Sequence, residues 1–340
     1  MWKKIYIPYV IFAIIVGITA FLLRNENYYL GILVQAAQFS LIVMGLSLLI
    51  GYAGQISLGH AAFFGIGAYS SAIFTGTYEW SPWFAMVGGM FIAAVLAWII
   101  AKPSLKLKGH YLAMATLGFG VIIHIFFTAE VDITGGPSGY TKGIIPMMKF
   151  FSLTIDEYIE IFILNWIIVL IILLLNLHLI HSRIGRALRA IHSDEGAARA
   201  MGVKTSHYKV RIFVLSAIYA SIAGSLYAHY IGFVGPSPFS LMESVRLVTM
   251  VIIGGMGSIW GAIFGAVFLS ILPEFLSFVL GKMPDGLPEI FKRHHDYQIL
   301  IYGVLLLVIM MFEPAGLIGV LRKLWMKIYS LLKKGENARA

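Results

Sequence analysis

Cysteine is absent from the 340-residue chain, which excludes disulfides and every thiolate metal or nucleophile site. Charge is scarce as well: 12% of the residues are Asp, Glu, Lys or Arg, about half the share typical of a soluble domain. With 59% of its residues in the apolar set, the chain cannot cover its own surface in water. Catalytic signatures are missing too. The run Gly136 to Lys142 lacks the Gly-Lys-Ser/Thr ending of a phosphate loop, Gly281-Lys282 continues into Met283, and His294-His295 has no helical i, i+4 partner. No Gly-x-Ser-x-Gly elbow is present. Chemistry inside a membrane needs ionisable groups at membrane depth, and here most of them sit at the ends of apolar runs. The expectation is a chain that catalyses no reaction and holds no cofactor or metal.

What is present is a series of charge-free runs, at 5–23, 27–78, 80–101, 109–129, 161–182, 212–242, 247–273 and 297–312. Most approach or exceed the ~20 residues that an α-helix needs to cross ~30 Å of hydrocarbon. They are continuous, whereas a transmembrane barrel shows alternating segments of ~10 residues. The predicted class is an all-α polytopic membrane protein. The net charge of +9 falls at span ends, where it sets orientation, so nucleic acid is not an expected partner. Lys3 and Lys4 precede a first run too long for a signal-peptide core, which reads as a retained span.

Basic residues favour the cytoplasmic side. Lys3 and Lys4 place the N-terminus inside, and Lys102, Lys106 and Lys108 place the next charged loop inside, which leaves room for four spans between them. The acidic stretch 130–160 reads as external. The segment 183–211 carries Arg183, Arg186, Arg189, Arg199, Lys204, Lys209 and Arg211 against Asp194 and Glu195, the strongest cytoplasmic signal in the chain. The mixed stretch 281–296 reads as external, and the basic tail 326–340 returns inside after a permease body of 1–325. The total is about ten crossings with both ends cytoplasmic. Eight full helices with two re-entrant segments fit the charges almost as well.

Two stretches stand out. In GYAGQISLGHAAFFGIGAYSSA, residues 51–72, five glycines allow helix backbones to approach closely. Gln55, Ser57 and His60 among them either bridge neighbouring helices or line a polar path along a softened helix start. In RIGRALRAIHSDEGAARAMGVKTSHYK, residues 183–209, Ile184, Ala187, Leu188 and Ile191 form an apolar stripe and Arg183, Arg186 and Arg189 lie off it. Ser193-Asp194-Glu195 then reads as a second helix start, Ala197, Ala198 and Met201 as a small-residue face, and Gly202 as its C-cap. This pair of helices either lies on the inner leaflet or docks into a protein groove. Glu243 and Arg246 form an i, i+3 pair in a charge-poor stretch, either a structural ion pair or a clamp for a zwitterion.

Residues 51–72 and 182–236, with KGHYLAMATLGFG at 108–120, TGGPSG at 134–139, LVTMVIIGGMGSIWGAIFGA at 247–266 and LIYGVLLLVIMMFEPAGLIG at 300–319, resemble the membrane permeases of branched-chain amino acid ABC importers. The chain looks most like the longer of the two permeases that pair in such systems. The resemblance implies a type II importer-like permease in the cytoplasmic membrane of a bacterium, forming half of the translocation path. It implies a second permease, two cytoplasmic ATPases carrying ATP and Mg²⁺, and an external substrate-binding protein as partners. It further implies that 183–209 is the element received by an ATPase groove. Tyr140 departs from the family pattern, which commonly has leucine there. Alternatives are a permease of the same superfamily for urea, short amides, nucleosides or sugars, and an ion-coupled secondary transporter.

Overall fold

The computed structural model describes residues 2–104, 110–145 and 158–281, with short helical pieces at 303–304, 307–308, 311 and 316–319. Residues 146–157, nearly all of 281–296, which the charges place outside, much of the span expected at 297–313 and the tail 326–340 lie outside the described residues. Among the described residues the regular structure is helical, apart from one isolated antiparallel bridge between Tyr140 and Val234.

The helices are α1 (Trp2–Leu22), α2 (Asn27–Ser47), α3 (His60–Gly76), α4 (Pro82–Ser104), α5 (His110–Ala129), α6 (Val131–Thr134), α7 (Tyr158–His181), α8 (Arg183–Ser193), α9 (Glu195–Ala200), α10 (Thr205–Ile231), α11 (Leu241–Gly254) and α12 (Ile259–Gly281). Six are long and apolar enough to cross a membrane: α2 with its π-helical extension to Tyr52, α4, α5, α7, α10 and α12. The chain is a multi-pass membrane protein. Helix α1 is apolar over the shorter stretch Tyr6–Leu22. Helices α3 and α11 have 17 and 14 residues.

Two expected boundaries move. Within the charge-free run 27–78 the second helix begins only at His60, because Leu48–Tyr52 widens into a π turn and residues 54–59 leave the helical path. A span predicted from 212 begins at Thr205, since Lys209 and Arg211 sit in the first turns of α10 and Lys209 finds a carboxylate partner there.

Helix α3 is almost entirely buried, enclosed by α10 and α4, with α2, α7 and α12 packed along the far side. Small residues make this possible. A Cβ at Gly67 would run into the Ser221 carbonyl, and one at Gly224 would run into the Phe64 carbonyl. The distribution of polarity is that of a protein in lipid. Ser71, Ser216, Ser221, Ser225 and Asn176 are fully buried, while Phe84, Phe91, Ile122 and Phe21 face outward. Asn176 accepts from the Tyr219 hydroxyl at 3.1 Å, so its amide finds a partner on α10 within the apolar medium.

Candidate functional site

The interrupted connection between α2 and α3 is the first part of the site. Gly54 turns it in the left-handed region, at φ 65°, where a side chain is disfavoured. Every glycine singled out in 51–72 lies against a different residue. A Cβ on Gly51 would strike the Met256 carbonyl, on Gly59 the Thr116 carbonyl, on Gly65 the Phe127 ring, and on Gly67 the Ser221 carbonyl. The break, through Gly51 and Gly59, and the start of α3, through Gly65 and Gly67, are therefore clamped between α5, α10 and the turn joining α11 to α12.

The polar residues of the break divide into two kinds. Ser57 Oγ lies 3.0 Å from His60 Nδ1, and His60 Nε2 lies 2.6 Å from Ser216 Oγ on α10. Around them the Leu58 N–H donates to Thr116 Oγ1 at 3.0 Å, and the Ala61 N–H donates to Ser244 Oγ at 3.2 Å. Gln55 differs. It is 2% exposed, and neither its Oε1 nor its Nε2 has a hydrogen-bond partner among the described residues. Sequence reading did not single out Ser216, Thr116 or Ser244. Each is one of several hydroxyl residues on its helix, and nothing in the sequence sets it apart from the others.

The second part is the helix pair α8–α9. Ser182, not foreseen as a cap, accepts from the Ile184 N–H at 3.1 Å and starts α8. Leu188 and Ile191 are buried, Ile184 is partly exposed, and Gly185 fills the remaining inward position. Arg189 donates to the Ile180 carbonyl at 3.0 Å and so ties α8 to the end of α7. Arg186 points outward. Asp194 caps α9 by accepting from the Ala197 N–H at 3.0 Å. Gly202, at φ 83°, ends it in a Schellman arrangement, with its N–H on the Arg199 carbonyl and the Val203 N–H on the Ala198 carbonyl.

The expected small face of α9 is split. Ala197 and Met201 are exposed, Met201 to 85%, but Ala198 is 5% exposed and turns inward. One helical turn cannot present residues 197 and 198 in the same direction. Glu195 anchors the segment: its carboxylate takes Arg199 at 3.1 Å and Lys209, on α10, at 2.6 Å. Burial alone would raise this carboxyl, but the Lys209 ammonium, the Thr205 hydroxyl and the Arg199 guanidinium hold it below its ordinary value.

The two parts meet. A Cβ built on Gly54 would lie 3.1 Å from His192 Nδ1, so the last turn of α8 rests on the left-handed turn of the break. On the opposite side of the bundle, Tyr140 pairs with Val234 through N–H···O bonds of 2.8 and 3.2 Å, and its hydroxyl lies 2.7 Å from Thr77 Oγ1. His229 lies 2.8 Å from Ser71 Oγ and 2.5 Å from the Ile145 carbonyl. Both contacts pin the connection after α5 onto α3 and α10. Glu243 and Arg246 do form an ion pair, at 3.6 Å, and the guanidinium stands 4.9 Å from the Phe39 ring centroid.

Residues 28–310 match the family of permease components of branched-chain amino acid transport systems. The high-affinity branched-chain amino acid transport system permease protein LivM of Escherichia coli K12 is 30% identical over 322 residues, 88% of this chain and 72% of that protein. LivM of Salmonella typhimurium is 29% identical over 323 residues, with the same two shares, 88% and 72%. The permease protein LivH of E. coli K12 is 25% identical over 297 residues, 83% of this chain and 91% of that protein. No solved structure matches. The chain belongs to the family of permease components of branched-chain amino acid transport systems.

Proposed function

We propose that this chain is the longer permease subunit of an ATP-binding-cassette importer for branched-chain amino acids, working as half of a permease pair. The observation that carries the reading is the contact of His192 with Gly54. It joins a capped, outward-facing helix pair to the interrupted connection between α2 and α3. Movement of α8 and α9 by an ATPase would reach the break directly. Arg186, Ala197 and Met201 would face the ATPase groove, while Arg189, Asp194, Glu195 and Gly202 hold the segment's shape. Gln55 would face the path, because a buried amide with no partner is costly in a dry interior. Ser57 and His60 would support the path through Ser216.

The partners in this reading are a second permease, two ATPases that bind ATP and Mg²⁺, and an external binding protein. It includes ten crossings, with 183–209 and both termini cytoplasmic. A cysteine placed at Ser206 should then label only from the cytoplasmic side. The test of function is uptake into vesicles containing the reconstituted complex. Labelled leucine should enter only with internal ATP and all partners present, and isoleucine and valine should compete. Competition by urea, nucleosides or sugars would move the chain to another branch of the superfamily. Uptake driven by an ion gradient without ATPases would overturn the proposal.

A further inference from the structure

At the Asn27 end of the bundle, α2, α7 and α10 enclose a hollow of about 380 Å³ lined by Gln35, Gln38, Tyr158, Tyr227 and Tyr230. Beside it an apolar groove of about 640 Å³ runs between α2 and α12 along Leu33, Ile271, Phe275 and Phe278. Tyr28 and Ile32 border both. Tyr28, on α2, and Glu274, on α12, both line the groove.

Four observations define what fits. Gln38 is 1% exposed and lines the polar hollow, yet its Nε2 has no acceptor among the described residues. Phenol and carboxamide groups around it supply further donors for an acceptor-rich group. Among the described lining residues neither cavity has a Lys or Arg, while Glu274 borders the groove. A head group that is purely anionic would therefore meet a carboxylate and no cation, whereas one that carries an ammonium finds its counter-charge. The groove opens sideways off the bundle: Phe275 and Phe278 are each 59% exposed, Tyr28 60% and Tyr29 50%. That is the direction of hydrocarbon, and clustered tyrosines mark the level of a membrane interface. The two spaces together exceed what one small amino acid fills.

We infer that this is a binding site for a zwitterionic amino-phospholipid of the phosphatidylethanolamine type. The Gln38 amide and the tyrosine hydroxyls donate to its phosphate and ester oxygens. Glu274 receives the ammonium, and an acyl chain lies along Phe275 and Phe278. The lipid fastens α2 to α7, α10 and α12 on the side of the bundle opposite α8.

The test uses the purified full-length permease, exchanged into phosphatidylethanolamine, phosphatidylcholine or phosphatidylglycerol of identical acyl chains, with retained lipid read by native mass spectrometry. Wild type should hold one phosphatidylethanolamine under conditions that strip phosphatidylglycerol. Gln38→Leu should lower that retention several-fold, and Glu274→Gln should abolish the preference over phosphatidylcholine, whose quaternary ammonium cannot donate. Tyr230→Phe, which deletes one oxygen, serves if Gln38→Leu does not fold. Equal retention of phosphatidylglycerol, or unchanged retention in the variants, would overturn the assignment. Displacement of the lipid by free leucine would give the hollow to the transported solute instead. A high-yield disulfide in a Tyr29→Cys/Val304→Cys pair would give the groove to the chain's own later segment.

Discussion

His192, in the last turn of α8, stands against Gly54, the left-handed residue of the α2–α3 break, so that a Cβ on Gly54 would lie 3.1 Å from its Nδ1. Gly54→Ala therefore carries two penalties. The left-handed backbone costs an L-residue about 1–2 kcal/mol, and the imidazole must give way. Uptake should fall roughly tenfold, the equivalent of about 1.4 kcal/mol, while ATP hydrolysis by the assembled complex persists. Adding His192→Ala removes the steric part and should restore some of the rate. Normal uptake by Gly54→Ala alone would mean that α8 does not act through this contact.

The Tyr140 hydroxyl lies 2.7 Å from Thr77 Oγ1, while its backbone pairs with Val234. Tyr140→Leu keeps the apolar burial and the backbone pairing with Val234 but leaves Thr77 Oγ1 without that partner. The expected loss is about 0.5–1.5 kcal/mol, seen as a lower melting temperature of the detergent-purified protein. Tyr140→Phe should reproduce it with less change in packing. Melting temperatures equal to wild type in both would show that the bond contributes nothing.

The helix pair α8–α9 was legible in the sequence because its signals are local: an apolar stripe, Asp194 as a cap, and Gly202 as a stop. The direction of Ala198 was not, since that depends on where α10 lies. The glycine cluster announced close packing, but not that each glycine would meet a different neighbour. Nor could the closely spaced small residues of 51–72 show that its helix begins at His60. The bond between His60 and Ser216 spans 156 positions. No periodicity in a single chain pairs residues so far apart.

Gln55 and Ser216 are both buried polar residues near the break, and their substitution should act in opposite ways. Ser216→Ala strips His60 Nε2 of its 2.6 Å partner and should destabilise the protein by about 1–3 kcal/mol. Gln55→Leu removes two polar atoms that have no partner among the described residues, so stability should hold or rise. Under the proposed path, uptake by Gln55→Leu falls nonetheless. Thermal melts paired with uptake assays separate the two effects, and a Gln55→Leu protein with full uptake would remove that residue from the path.

The Glu195–Lys209 pair has a defined pH signature. The folded carboxyl lies below its unfolded value, so its contribution is present above the unfolded pKa, near 4.3, and is lost as pH falls through the folded pKa. At neutral pH Glu195→Gln should lower the melting temperature modestly, in keeping with the ~1 kcal/mol or less expected of a partly exposed pair. The difference from wild type should vanish in acid below both values. A difference that instead grows as the solution is acidified would reverse the sign of the linkage.

The direction of Ala198 decides how the ATPase contact must be tested. Ala198 is 5% exposed, so Ala198→Trp overpacks the segment against its own chain at a cost of about 1–3 kcal/mol. Loss of transport in that variant would say nothing about a groove. Ala197 is one position away and exposed, so a tryptophan there leaves the internal packing intact and meets only what docks from outside. A protein groove excludes the added bulk, whereas a lipid surface accepts it because more apolar area is buried. Ala197→Trp should thus insert and fold normally yet co-purify with less ATPase and lose stimulated ATP hydrolysis. If the variant keeps its ATPases and full transport while binding membranes more tightly, α9 lies on the inner leaflet and the groove contact must be sought elsewhere on 183–209.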